Sequence, residues 1–160
     1  MECFGLEIIR GIRESILGNT VLDSDLKVAH VVMVDDDKED LFLTKASFQQ
    51  AKFPFKFTGL EGANALFNYI DDNGIEDIDI LLLDLNMPIT GGLEALKKLR
   101  EVPEIEKIKI FMFSTSSSHV DRNECVDAGA DGYLFKPSGS EEVKRFVNTI
   151  SLASNFWVSN

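Results

Sequence analysis

Five polar side chains stand out because each follows a short apolar run. Asp35 and Asp36 follow His30-Val31-Val32-Met33-Val34, and Asp84 follows Ile80-Leu81-Leu82-Leu83. Ser114 follows Lys109-Ile110-Phe111-Met112-Phe113, and Lys136 follows Gly132-Tyr133-Leu134-Phe135. Singly, each has an ordinary explanation: acids after a strand cap helices, serine closes strands and Lys-Pro opens loops. Jointly they describe chemistry. Three carboxylates within a few ångströms of one another repel, and their pKa values rise unless a cation intervenes. Magnesium meets that demand, because it takes hard oxygen ligands, usually one or two carboxylates with waters and phosphate oxygens. Lys136 adds a second positive charge, and Ser114 offers a hydroxyl. Two cations flanking one acceptor carboxylate make a site that stabilises an incoming phosphoryl group, where catalysis is mostly positioning and charge neutralisation.

Such a site forms only if the five residues share one rim of the fold, and the elements between them provide for that. Ile80 to Leu83 reads as a strand buried on both faces, with Asp84 at its carboxyl end and Pro88 and Gly91-Gly92 turning the chain after it. Open α/β sheets place ligands at that end. Asp37 or a neighbour N-caps a helix on which Leu41, Phe42 and Phe48 recur at roughly helical spacing. Lys56 to Gly59 is a short strand. Asn64 to Ile70 is a helix with Ala65, Leu66 and Tyr69 inward, ended at Asn73-Gly74. Leu93 to Arg100 is the next, with Leu93, Leu96 and Leu99 inward, its basic residues in the last turn and Pro103 closing it. Val120 to Ala128 is a helix stopped by Gly129, and Glu141 to Ala153 carries the apolar stripe Val143, Phe146, Val147 and Ile150. Five strands alternating with five helices give an α/β fold with a doubly wound parallel sheet covered on both faces.

Bulk properties narrow the function. A chain of 160 residues with an apolar fraction of 44% suits one globular domain. We divide it into an N-terminal extension over 1–28, the domain over 29–153 and a tail over 154–160. In the extension, Ile8, Ile12 and Ile16 recur at helical spacing, which suits a short amphipathic helix or a frayed terminus. No apolar run approaches the ~20 residues a membrane span needs, and Met1 to Gly5 lack a secretory start. Cys3 and Cys125 match no metal or disulfide spacing, so a reducing cytoplasm is expected. A net charge of −11 repels phosphate backbones, which argues against nucleic acid as a partner.

With its motifs in place, the chain resembles the receiver domain of two-component response regulators, to which the bacterial chemotaxis regulator belongs. The resemblance spans about residues 29 to 152. It rests on Val34-Asp35-Asp36, on Asp84-Leu85-Asn86-Met87-Pro88 with Gly92, on Ser114-Thr115, and on Gly132 through Pro137. The separations also fit: 30 residues from Asp84 to Ser114 and 22 from Ser114 to Lys136. The resemblance implies a flavodoxin-like, five-stranded sheet in the order 2-1-3-4-5. It implies that Asp84 accepts a phosphoryl group from a sensor histidine kinase or a histidine phosphotransfer protein. Asp36 would ligate Mg2+ directly, Asp35 mainly through water, and Asn86 through its backbone carbonyl, beside Asp84 itself. Ser114 and Lys136 would bind phosphoryl oxygens. Tyr133 would follow Ser114 and couple the site to the face of the fourth helix, fifth strand and fifth helix. Ser114 stands where many relatives have threonine, which keeps the hydroxyl and loses a methyl.

No output domain follows the last helix, so the expectation is a stand-alone regulator that signals through an unidentified downstream protein. The ending Asn155-Phe156-Trp157 is similar to endings of small regulators paired with bacterial phytochromes, which adds a homodimer through that same face. A Phe-Trp pair closing a core explains it equally. Other chemistries fit worse. An FMN site needs a phosphate-cradling loop after the first strand, where this chain has Asp35-Asp36-Asp37. A haloacid-dehalogenase-type phosphatase needs a second acid where Asn86 stands. A pseudo-receiver, a binding module that works without phosphorylation, remains the alternative.

Overall fold

The computed structural model describes residues 28–50, 55–137, 139, 141–148 and 150. The expected helix around Ile8, Ile12 and Ile16, the Phe156-Trp157 ending and the last helix beyond 150 lie outside the described residues.

Five parallel strands form one sheet: β1 (Ala29–Asp35), β2 (Phe55–Glu61), β3 (Ile80–Asp84), β4 (Lys109–Ser114) and β5 (Gly132–Phe135), in the order β2-β1-β3-β4-β5. The helices between them are α1 (Lys38–Gln49), α2 (Gly62–Asn73), α3 (Gly92–Leu99) and α4 (His119–Asp127), and residues 141–148 and 150 form α5. Every residue of β1 and β3 is buried, because these strands lie inside the sheet and both of their faces are covered. Alternation divides their apolar run between two cores. Val32, Val34, Leu81, Leu83, Ile110 and Met112 pack with Leu66 of α2, Leu96 and Leu99 of α3 and Cys125 of α4. Val31, Met33, Ile80, Leu82, Phe111 and Phe113 pack with Leu41 and Phe48 of α1 and Val143, Val147 and Ile150 of α5.

The helix starts follow from local chemistry. Asp37 caps α1 by accepting the Glu39 N–H at 2.8 Å, and Ser118 caps α4 by accepting that of Asp121 at 3.2 Å. Helix α2 ends at Gly74, whose φ of 75° disfavours a side chain. His30 is structural. Its Nδ1 donates to the Asp77 carbonyl at 2.8 Å, so Nε2 is left to accept from Thr58 Oγ1 at 2.8 Å. Burial holds its pKa below the usual histidine value.

Several expected inward positions differ. Phe42 is 68% exposed, and the buried face of α1 is Leu41, Thr44 and Phe48. Residue 42 lies about 100° around the helix from residue 41, too far to share its narrow stripe. On α2, which begins at Gly62, Ala63 is buried rather than Ala65, while half-buried Tyr69 packs against the core as expected. On α3, Leu93 is half-buried and packs against the core as expected, and Ala95 joins Leu96 and Leu99 in full burial. That helix ends at Leu99, before Pro103, and a short 3-10 turn (Ile105–Lys107) precedes β4.

Candidate functional site

Asp35, Asp84 and Ser114 are the last residues of β1, β3 and β4, and Lys136 is the first after β5. Parallel strands therefore deliver all four to one rim. Asp35, Asp84 and Ser114 are buried; Asp36 is exposed at the mouth. Carboxylate oxygens of Asp35, Asp36 and Asp84 lie within 4.8 Å of one another. The Lys136 side chain, 12% exposed, reaches in from the far edge. Its Nζ lies 2.7 Å from Asp35 Oδ2 and 3.2 Å from Asp84 Oδ1. The Lys136 N–H donates to the Ser114 carbonyl at 2.8 Å, which fixes where that side chain starts. Beneath the ammonium sits the Phe113 ring, 5.9 Å away, itself stacked on Phe146 of α5 at 4.9 Å.

The loop from Leu85 to Gly91 closes tightly over Asp84. The Gly92 N–H donates to the Leu85 carbonyl at 2.9 Å, and a Cβ at Gly92 would stand 2.0 Å from the Asp84 carbonyl oxygen. Ile89 is 94% exposed with a φ of 69°, a left-handed conformation that strains a β-branched residue. Asn86 is exposed, and its Nδ2 lies 3.4 Å from Ser114 Oγ. That Oγ also accepts the Ser116 N–H at 3.1 Å. Tyr133 is buried and donates its hydroxyl to the Ser116 carbonyl at 3.1 Å.

Burial pushes the carboxyls of Asp84 and Asp35 above their usual pKa range, and nearby Lys136 only partly offsets it. Burial would lower Lys136, but Asp35 and Asp84 outweigh it and raise the ammonium further. The donor set suits a hard divalent cation: it is all oxygen, and negative charge exceeds positive. Asp35 Oδ1 accepts the Asp37 N–H at 2.9 Å, while the buried Oδ2 accepts no well-directed hydrogen bond and keeps a lone pair to offer.

The family description "Response regulator receiver domain" matches residues 31–148. This chain belongs to that family. The receiver domain is similar to the transcriptional regulatory protein CpxR of Escherichia coli K12, at 32% identity over 127 residues that cover 79% of this chain and 50% of CpxR. It thus spans about half the length of curated relatives such as CpxR. Its fold is that of the phosphorylated cyanobacterial phytochrome response regulator RcpA, with a TM-score of 0.71 at 23% identity, over 83% of this chain and 96% of that one. The Mn2+-bound form of Rcp1 gives 0.67 at 21% identity, over 77% and 91%.

Two residues of this receiver site gave no signal in sequence. Asp40, in the first turn of α1, lies 3.2 Å from Lys136 Nζ through Oδ2. Ser116 links the rim to α4: its N–H donates to Ser114 Oγ and its own Oγ donates to Asp121 Oδ2 at 2.7 Å. Helical periodicity around Asp37 places an acid at 40, but nothing local says that a lysine 96 residues later meets it. No described helix is long and apolar enough to cross a membrane.

Proposed function

We propose that this receiver domain accepts a phosphoryl group on Asp84 from the phosphohistidine of a sensor kinase or phosphotransfer protein. The observation that carries this is Lys136 Nζ, 3.2 Å from Asp84 Oδ1 on a rim that also gathers Asp35 and Asp36. An Asp84 carboxylate oxygen attacks phosphorus as the phosphorus–nitrogen bond breaks. The electron pair leaves on the imidazole, which departs neutral because its other nitrogen keeps a proton. Mg2+, held by Asp35, Asp36, Asp84 and the Asn86 carbonyl, would neutralise charge on the phosphoryl oxygens. The Mn2+ of Rcp1 supports a divalent ion at a site of this fold. Lys136 and the Ser114 hydroxyl hold the remaining phosphoryl oxygens. The phosphorylated state is read by another protein or a second copy at the face of α4, β5 and α5, where Val120 and Phe135 are exposed. The net charge of −11 favours a protein over nucleic acid there.

Incubation with phosphoramidate or acetyl phosphate and Mg2+ should add one phosphoryl group by intact mass, and none to Asp84→Asn. Equal labelling of that variant moves the acceptor elsewhere. No labelling of the wild type makes the domain a pseudo-receiver.

A further inference from the structure

The Lys136 ammonium carries three N–H bonds, and three carboxylates stand around it. Asp35 and Asp84 are buried at the ends of β1 and β3. The third, Asp40, comes from the first turn of α1, and its Oδ2 accepts from Nζ at 3.2 Å. Asp40 accepts a well-directed hydrogen bond from Nζ, while Asp35 Oδ2 and Asp84 Oδ1 crowd the same ammonium as ion pairs at 2.7 and 3.2 Å. A phosphoryl oxygen on Asp84 must enter this crowd, and the carboxylate that yields is the one whose place at Nζ water can take. Asp84 is the acceptor, and Asp35 has no exposure to water that could replace the cation. The Asp40 side chain is 42% exposed, so water can take over its hydrogen bond at least cost. A cleft lined by Asp40, Thr44, Phe113, Lys136 and Pro137 opens beside the pair and leaves room for withdrawal.

Resting on the phosphoacceptor reading above, we propose that Asp40 is a positioning residue that holds Lys136 in the resting site and is displaced from Nζ by a phosphoryl oxygen. Asp40 and the phosphoryl group thus compete for one cation, and the helix α1 sets how readily the site fills. Removing the competing charge favours occupancy. The gain should match the worth of a partly exposed ion pair, about two- to fivefold.

The test measures the affinity for beryllofluoride with Mg2+, and the initial rate of labelling by phosphoramidate, for wild type, Asp40→Asn and Asp40→Glu. Asp40→Asn should gain about two- to fivefold in both, and Asp40→Glu should return toward wild type. The Lys136 side-chain resonance, followed in lysine-labelled protein, is a readout that a merely structural role would not move. It should differ between wild type and Asp40→Asn at rest and coincide once beryllofluoride is bound. An unchanged or lower affinity in Asp40→Asn overturns the competition. Resonances that stay apart in the bound state overturn the displacement. A wild type that neither labels nor binds beryllofluoride overturns the phosphoacceptor reading first, and this proposal with it.

Discussion

At the residue scale, the site keeps its acids ionised at the expense of the fold. Asp84 and Asp35 have pKa values raised by burial, so the folded chain holds these protons more tightly than the unfolded one. Their contribution to stability is therefore full below the unfolded value near 3.8 and falls as pH rises through the raised folded value. Asp84→Asn removes that burden while keeping the shape. By calorimetry in EDTA at pH 7, the variant should be more stable than wild type by about 1 kcal/mol, ~2–4 °C in Tm. The gap should narrow as pH falls through the raised folded value of Asp84 toward 3.8. Mg2+ binding only the folded state adds RT ln(1 + [L]/Kd), so saturating Mg2+ should raise the wild type more than the variant and close or reverse the gap. A variant less stable than wild type in EDTA at pH 7 contradicts this account. Asp35, Asp84, Ser114 and Lys136 were legible as a group because each ends an apolar run, and parallel strands bring such ends together. Asp40 was not, since its partner Lys136 lies 96 residues further along and meets it only in the folded chain.

At the element scale, what matters is how closely α3 approaches β3. A methyl group on Gly92 would lie 2.0 Å from the Asp84 carbonyl oxygen and 2.8 Å from Leu85 Cα, both backbone atoms that cannot turn aside. Gly92→Ala must move the start of α3 or the end of β3, at a cost of about 1–3 kcal/mol. It should also slow phosphoramidate labelling, because Asp84 moves with its backbone. Gly91→Ala is the control: its Cβ meets only the Leu85 carbonyl, at 3.7 Å, and its φ is −67°. Urea unfolding and labelling rates of the two variants check this, and equal behaviour would refute it. The same closeness shows why element bounds were read less well than element types. β1 and β3 announce themselves as continuous apolar runs, since both faces are covered. The α1 face departs from its apolar pattern because Thr44, a polar type, is buried and Phe42, an apolar one, is not. Ala63 is too small to mark a face by hydrophobicity.

At the scale of the whole molecule, the hydrogen bonds of Ser114 and Ser116 run from the rim to α4 and Tyr133. A phosphoryl oxygen that accepts from the Ser114 hydroxyl draws it away from Asn86 Nδ2 and the Ser116 N–H, which both donate to its Oγ, and Ser116 also holds Tyr133. Occupancy can shift this arrangement only by its differential affinity for the two states. Beryllofluoride with Mg2+ should therefore change self-association or partner affinity by light scattering and titration, and Ser114→Ala should abolish that change while Asp84 still labels. No change in wild type would place the output on another surface. The sheet order has a consequence for biosynthesis as well. Asp35, Asp36, Asp40 and Asp84 all emerge from the ribosome before Lys136, and Phe146, which stacks on the Phe113 ring beneath that lysine, emerges later still. A partly made chain thus carries the repelling acids without the cation that gathers them. Its nascent sheet is charge-frustrated, and a stalled or truncated product lacks the ammonium that pairs with Asp35, Asp40 and Asp84.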